Sequence, residues 1–250
     1  MISVTLNINN KRYGNGEMVI GEIRETIEAG KITAVIGPSG CGKSTLLNMI
    51  AGLECSASGD VIFEASSLPE PNPSIGYVFQ TPRLMPWLTV LENMELVCGK
   101  GNPNINSTLD AMDILDKRDA FPSQLSGGMQ RRVSVARAFV YQPGLMLLDE
   151  PFTSLDAPTA DQLRHLLLKM WYQQQTTMVF VTHDLREAIS LADEIWFLSR
   201  SPAKVIHKIG IDQPPARFLG DSAGRQQIDE IAGKLLELHP NLLSGVTEDL

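Results

Sequence analysis

The sequence has little of what marks secreted, membrane-spanning or nucleic-acid-binding proteins. Its 250 residues include three cysteines in no metal-like spacing, which suits a reducing compartment. Apolar runs such as residues 145–148 are far shorter than the about 20 residues that a transmembrane helix needs. The start of the chain lacks a basic region followed by an apolar one, so no signal peptide is expected. The net charge of −8 gives no overall basic footprint, and no nucleic-acid partner is expected.

The clearest pattern that is present is a glycine-rich segment between a predicted strand (residues 32–36) and a predicted helix (residues 43–50). It reads Gly37-Pro38-Ser39-Gly40-Cys41-Gly42-Lys43-Ser44-Thr45. Glycines let the backbone curl into a nest of inward-pointing N–H groups, and the helix start adds partial positive charge. The spacing is that of a phosphate-binding loop, in which Lys43 reaches the β- and γ-phosphates and the Ser44 hydroxyl binds Mg²⁺. A merely flexible loop is disfavoured because a strand and a helix flank it.

A pair of acids follows a second apolar run. Residues 145–148 are apolar on both faces, as in a central parallel strand, and Asp149 and Glu150 come next. Asp149 could hold Mg²⁺, directly or through water, while Glu150 orients or deprotonates a water molecule. His183 ends another buried strand and could donate a hydrogen bond to a phosphate. Two solvated acids and a structural histidine are the alternative interpretation.

Three further polar side chains have two interpretations each. Tyr13 precedes a predicted hairpin turn, and its ring could stack on a nucleobase or pack on the sheet. Gln80 ends a predicted strand at the edge where open α/β sheets place ligand-binding groups, or it is an ordinary loop residue. Asp156 lies in a loop and could simply cap the next helix.

Residues 81–142 are predicted to form a helical insertion. Thr89 and Glu92 have the spacing of a capping box, so a helix is predicted to begin near Val90. Ser107 is predicted to cap the next helix. A longer helix begins with Ser126, Gly127 and Gly128, whose free N–H groups could bind a second anion, although an ordinary N-terminal cap is the simpler interpretation.

Together these motifs resemble the nucleotide-binding subunits of ATP-binding cassette (ABC) transporters, over roughly residues 1 to 200. They occur in that family's order. Tyr13 resembles the adenine-stacking aromatic, residues 37–45 resemble Walker A, and Gln80 resembles the Q-loop glutamine. Ser126-Gly127-Gly128 resembles the signature, and residues 145–150 resemble Walker B. Ser154-Leu155-Asp156 resembles the D-loop, and His183 resembles the switch histidine. The resemblance implies ATP and Mg²⁺ as cofactors. It implies that Glu150, His183 and Gln80 are catalytic and that Ser44, Gln80 and Asp149 surround the metal ion.

The resemblance also implies the fold. We expect a single α/β P-loop NTPase domain with a parallel core sheet, an antiparallel β subdomain and a helical signature subdomain. Residues 1–80 and 143–200 would form the catalytic core with its β subdomain, and residues 81–142 the helical subdomain. Residues 201–250 would be a C-terminal extension, whose apolar helical face is predicted to pack on the body, with a dimer or regulatory contact as the alternative. Residues 195–198 are predicted as the last strand of the main sheet.

The implied assembly is a head-to-tail homodimer on the cytoplasmic face of a membrane, bound peripherally to a separate transmembrane permease. Residues 84–90 resemble the importer group that handles nitrate, sulfonates and taurine, and Trp87 and Leu88 are predicted to form a groove for the permease. A periplasmic or extracellular solute-binding protein would be an indirect partner. Two alternatives stay open, namely a soluble scaffold ATPase of the iron–sulfur assembly type and a DNA-repair cassette. The DNA-repair type would call for a long coiled coil or a zinc spacing, which the sequence lacks.

Overall fold

The fold is described from a computed structural model, over residues 1–14, 16–55, 58–65, 74–211 and 222–245. Its strands are β1 (Ile2–Arg12), β2 (Met18–Ile20), β3 (Ile23–Ile27), β4 (Ile32–Ile36), β5 (Ser58–Ala65), β6 (Ile75–Val78), β7 (Leu145–Asp149), β8 (Thr177–Thr182), β9 (Glu194–Leu198) and β10 (Val205–Gly210). Its helices are α1 (Lys43–Ile50), α2 (Val90–Cys98), α3 (Asn104–Ala111), α4 (Gly127–Phe139), α5 (Ala157–Gln174), α6 (Leu185–Leu191) and α7 (Ser222–Leu238).

The central feature is a six-stranded sheet in the order β10-β9-β4-β8-β7-β6. Neighbours from β9 to β6 pair in parallel, and every residue of β4, β7 and β8 is buried. Runs that are apolar on both faces belong in the middle of such a sheet because helices cover both of its sides. The predicted parallel core is therefore confirmed.

The sequence predicted residues 195–198 as the last strand of the main sheet. This prediction is wrong, because one more strand follows. Strand β10 pairs antiparallel with β9 at the edge, with His207 opposite Phe197 and Lys208 opposite Trp196. Its side chains are only half-buried or exposed, since an edge strand has a neighbour on one side. Because β10 includes polar residues, it lacks the continuous apolar run from which the central strands were predicted.

A second, antiparallel sheet is built around β1. Strands β2, β3 and β5 all pair with it, as the predicted β subdomain requires. Alternate residues of β1 point inward, and Val4, Leu6 and Ile8 are fully buried. This is the period-two pattern of a strand with one core face. Asn15, which belongs to the hairpin turn predicted from the sequence, lies outside the described residues.

Helices α2, α3 and α4 follow the end of β6. The capping box is confirmed, because the Thr89 hydroxyl accepts a hydrogen bond from the Glu92 N–H, and the Glu92 carboxylate accepts one from the Thr89 N–H. The prediction for Ser107 is wrong, since α3 begins three residues earlier. The Asn102 side chain accepts a hydrogen bond from the Asn104 N–H at 2.9 Å and so starts the helix, whereas Ser107 lies within it.

The C-terminal helix α7 packs against α6. Ile228 and Ala232 are buried at this contact, and Arg186 of α6 pairs with Asp229 of α7 at 2.5 Å. Among the described residues, no helix combines the length and the apolar character needed to cross a bilayer. The division of the chain into a core, a helical part and a C-terminal extension stays a prediction.

Candidate functional site

The glycine-rich loop turns from the end of β4 into the start of α1. Gly40 and Gly42 have φ angles of 75° and 114°, in the left-handed region that favours glycine. A Cβ atom on Gly42 would lie 2.9 Å from the Ile20 side chain, so this position also lacks room for one. The loop therefore has the backbone conformation and the tight packing that a nest for an anion requires.

Lys43 places a buried positive charge inside this loop. Its side chain reaches back so that Nζ donates to the carbonyl oxygens of Gly37 at 2.7 Å and Pro38 at 3.0 Å. The residue is only 6% exposed. An ammonium group held there, beside the first N–H groups of α1, can bind phosphate oxygens.

The Ser44 hydroxyl lies 3.0 Å from Asp149 Oδ1, which joins the loop to the end of β7. Burial raises the pKa of Asp149 above its ordinary value, and the negative charge of Glu150 adds to this, while the hydrogen bond from Ser44 opposes it. In the described part of the chain, no cluster of three or more His, Cys, Asp or Glu side chains could hold a metal ion. One hydroxyl and one carboxylate suit Mg²⁺, which usually binds few protein oxygens and completes its shell with phosphates and water. The residues present therefore fit Mg²⁺.

Glu150 is the point at which three predicted site residues meet. Its carboxylate accepts hydrogen bonds from Thr153 at 3.0 Å and from the Gln80 amide at 3.3 Å, and it lies 3.7 Å from His183 Nδ1. Its φ angle of 44° is in the left-handed region, which is uncommon for a residue with a side chain. Such strained positions often occur at functional sites. The structure thus brings Gln80, Glu150 and His183 together although they are far apart in sequence.

Tyr13 is held beside the phosphate loop by Glu54. Its hydroxyl donates to the Glu54 carboxylate at 2.7 Å and lies 3.3 Å from Thr45 Oγ1. Although burial acts in the opposite direction, hydrogen bonds from Tyr13 and Lys11 lower the pKa of Glu54 below its ordinary value. Tyr13 is 42% exposed, and Lys11 Nζ lies over its ring, 5.1 Å from the centroid, so stacking on a base stays a prediction. Sequence reasoning missed Glu54, which carries no motif.

The start of α4 differs from the phosphate loop in being open. Ser126 is the N-cap, and its hydroxyl accepts a hydrogen bond from the Met129 N–H at 3.3 Å. Nothing lies within 4 Å of a Cβ built on Gly127, whereas one on Gly128 would be 2.6 Å from Thr159 of α5. Within the described ranges, no hydrogen bond joins this helix start to the phosphate loop of the same chain. The N-cap interpretation of Ser126 is confirmed, and anion binding stays a prediction that is compatible with it, since an N-cap can also present free N–H groups.

Asp156 caps α5, as its simpler interpretation predicted. Its carboxylate accepts hydrogen bonds from the Thr159 N–H and hydroxyl, both at 3.0 Å. The backbone hydrogen bond from Thr159 lowers the pKa of Asp156 below its ordinary value. A contact of Asp156 with nucleotide stays a prediction.

Sequence reasoning also missed Arg131, a buried residue of α4. Its guanidinium donates to the carbonyl oxygens of Phe79, Gln80 and Glu150. Arg131 lies four residues before the apolar Val135, so the two share one face of α4. This spacing was the signal in the sequence that Arg131 could be buried. Nothing in the sequence, however, identified the carbonyls that it contacts.

A parallel α/β sheet with a phosphate loop at one strand end, and an acid pair at the end of β7, defines a P-loop ATPase. Comparison with known protein families specifies the kind, because the family described as "ABC transporter" matches residues 20–153. This is more than half of the chain. The protein belongs to the ABC transporter family and is an ATP-binding ATPase of that family.

The curated relatives point to one group within the family. The chain is 40% identical to the aliphatic sulfonates import ATP-binding protein SsuB of a Bacillus cereus strain, over 88% of this chain and 87% of the relative. It is 40% identical to SsuB of Bacillus subtilis (strain 168), over 83% and 84% of the two chains. It is 39% identical to SsuB 2 of Burkholderia cenocepacia, over 83% and 77%. The resemblance to the sulfonate-type importer group is thereby confirmed.

Solved structures agree on the fold. The dimeric structure of MJ0796, a bacterial ABC transporter cassette, matches with a TM-score of 0.72 and 30% identity, over 85% of this chain and 100% of that chain. A second MJ0796 structure, a dimeric post-hydrolysis state bound to ADP and Pi, matches with a TM-score of 0.71 and 28% identity, over the same shares. The predicted ABC ATPase fold is confirmed.

Proposed function

We propose that this protein is the ATP-hydrolysing subunit of an importer for aliphatic sulfonates or similar small anions, and that it works through a separate transmembrane permease. The observation that carries the proposal is the meeting of Ser44, Asp149, Glu150 and Gln80 at one edge of the sheet, in a chain that is about 40% identical to sulfonate-import ATPases. Neither the site nor these relatives favour the scaffold alternative.

ATP binding would use the groups at the end of β4. Lys43 and the loop N–H groups would bind the triphosphate, and Lys43 would exchange its loop carbonyl partners for phosphate oxygens. Tyr13 would offer its exposed ring to the base. Bound Mg²⁺ would supply positive charge against the phosphate oxygens, held by Ser44 and Asp149 with Gln80 nearby.

Hydrolysis would use the groups around Glu150. Its carboxylate would orient a water molecule and accept a proton as the water oxygen bonds to the γ-phosphorus. The bond from the γ-phosphorus to the bridging oxygen breaks, so ADP keeps that electron pair and phosphate is released. Gln80 and His183 both approach the Glu150 carboxylate, and they would align the water and the γ-phosphate. Lys43 would stabilise the charge that develops on the transferred group.

One chain would supply half of each ATP site. The exposed start of α4, at Ser126, Gly127 and Gly128, is suited to close over the γ-phosphate of ATP held by the phosphate loop of a second copy. A two-fold axis then generates two equivalent sites in a head-to-tail dimer, with Asp156 near the interface. Support for this arrangement comes from the dimeric cassettes that the chain resembles.

The permease would dock beside the Gln80 loop. Trp87 is 69% exposed and Leu88 half-buried, whereas Leu84 packs on the core. An exposed indole seven residues after Gln80 is suited to a groove for another protein's helix. The chain would thus be a peripheral protein on the cytoplasmic face of the membrane, and a solute-binding protein would deliver the solute from the other side.

The proposal can be tested in a strain from which the gene has been deleted. We expect loss of growth on an aliphatic sulfonate as sole sulfur source and normal growth on sulfate. The parent gene should restore uptake of the labelled sulfonate, and a Glu150→Gln gene should not. Unchanged sulfonate uptake in the deletion strain would reject this solute, and nitrate and taurine would then be tested in the same way.

A further inference from the structure

Arg131 is a buried cation whose hydrogen-bond partners are backbone carbonyls. The residue is 3% exposed, and in the described part of the chain it forms no ion pair. Its guanidinium donates to Phe79 O at 2.6 Å, to Gln80 O at 2.5 Å and to Glu150 O at 3.3 Å. A charge is costly to bury unless its hydrogen bonds are satisfied, so these three contacts are what hold it in place.

The three carbonyls belong to two segments, which follow paired strands and are also joined by the Gln80–Glu150 contact. Phe79 and Gln80 follow β6, and Glu150 follows β7, while Arg131 itself comes from the second turn of α4. A guanidinium is planar and presents its N–H groups in a fixed fork. Its contacts therefore cannot shift independently, and a movement of α4 is passed to both segments together.

Arg137 of the same helix provides a natural contrast. It donates to Pro82 O at 3.1 Å and to Arg83 O at 3.0 Å, further along the same loop. Among the described residues, no hydrogen bond or ion pair joins Arg137 to Glu150. Both arginines thus fasten the loop after β6 to α4, but of the two only Arg131 also reaches the residue that carries the hydrolytic carboxylate.

We infer that Arg131 is a positioning residue that couples the start of α4 to Gln80 and Glu150. When Ser126 and its neighbours close over ATP held by a second copy, α4 would carry the backbone of Gln80 and Glu150 with it. The Glu150 carboxylate would then be placed for the ATP bound in its own chain. The inference rests on the proposed role of Glu150 and extends it, because it makes hydrolysis at one site depend on closure at the other.

The test compares Arg131→Met with Arg137→Met in the purified full-length chain. The affinity for ATP, measured with a fluorescent analogue, should stay within about threefold of the parent in both variants, since neither arginine touches the phosphate loop. The value of kcat should fall about 10- to 100-fold in Arg131→Met, because small displacements of a catalytic group cost up to about 10²-fold. In Arg137→Met, kcat should fall less than about threefold. Equal losses in the two variants would overturn the inference, since they would show a general loosening of the loop.

Arg131→Lys keeps the result interpretable where Arg131→Met does not fold. A lysine restores the charge but cannot bridge both segments with a planar fork, so we expect a folded chain with only partial recovery of kcat. A parent-like kcat in Arg131→Lys would contradict the inference. Glu150→Gln is measured in parallel. If Glu150→Gln turns over ATP at the parent rate, the proposed function of Glu150 fails. If it is inactive while the Arg131 variants are normal, only the coupling role fails.

Discussion

The phosphate loop and the start of α4 are both helix starts suited to phosphate, yet they are built in opposite ways. At the loop, Lys43 is buried and Ser44 is hydrogen-bonded to Asp149, so the positive charge and the proposed Mg²⁺ ligands are already in place. At α4, Ser126 and Gly127 are exposed, and nothing lies in front of Gly127. In the proposed dimer, the loop half of the ATP site would be complete within one chain, and the α4 half would be complete only when a second copy covers it.

The two halves also differ in how they are held. Strands β4, β7 and β8 support the loop with buried apolar side chains. The helical half has buried apolar side chains of its own, but polar groups at its margin, among them Asn93 and Arg131, also fix its position. Buried polar groups fix a geometry but are costly when one partner is lost. Variants can therefore damage one half while the other still works.

The largest expected effect is on turnover at the sheet edge. Glu150→Gln removes the proton acceptor but keeps a side chain of the same shape, so kcat should fall about 10²- to 10⁴-fold while ATP still binds. Hydrolysis measured by phosphate release, alongside ATP affinity, checks this. A variant that turns over ATP at the parent rate would show that Glu150 does not activate the water.

A smaller effect, on stability and not on ATP affinity, is expected from a substitution in the helical half. Asn93 is fully buried, and its amide contacts the backbone of Met85, Leu88 and Thr89. Asn93→Ala removes the side-chain partner of the Met85 N–H and of the Leu88 carbonyl, and should lower the free energy of unfolding by about 1–3 kcal/mol. ATP affinity should hardly change. Urea unfolding of the parent and of Asn93→Ala measures the difference in the free energy of unfolding.

The matched control is Asn106→Ala, which removes the same side chain from an exposed position of α3. Its effect on the free energy of unfolding should stay within about 0.5 kcal/mol. If Asn93→Ala is as mild as this control, the polar contacts do not support the helical half. If it abolishes ATP binding, the two halves are not separable.

The smallest effect on the isolated chain is expected at Trp87. Because the side chain is 69% exposed, Trp87→Asp should change the free energy of unfolding by less than about 0.5 kcal/mol and leave ATP binding intact. The same change should detach the chain from membranes that contain its permease. Leu238→Asp, at a position that is 72% exposed on α7, is the control and should stay attached. Undiminished retention of Trp87→Asp would remove this residue from the docking surface.

The sequence predicted the structure correctly wherever the residues that determine a local structure lie within one short segment. The phosphate loop, the buried strand before Asp149 and the capping box at Thr89 are all determined by neighbours a few residues away. Ser107 was misplaced because Asn102, another capping residue, starts the helix first.

Other features depend on contacts between distant segments, which a single sequence does not reveal. Arg131 contacts carbonyls 52, 51 and 19 residues away, and Glu54 meets Tyr13 from 41 residues away. Backbone carbonyls have no residue-specific signature, so the partners of Arg131 appear only when the strands are assembled. Strand β10 was missed because polar edge residues, such as the half-buried His207 and the exposed Lys208, break the apolar pattern.

Mixing two damaged chains tests the shared site most directly. In a Glu150→Gln background, Lys43→Ala should prevent ATP binding at the loop, and Ser126→Arg should block the start of α4. Neither chain alone should dimerise with ATP. A mixture pairs the intact loop of one chain with the intact helix start of the other, so sedimentation with ATP should show mixed dimers. A mixture that stays monomeric while the Glu150→Gln parent dimerises, or either damaged chain dimerising alone, would contradict a site shared between two chains.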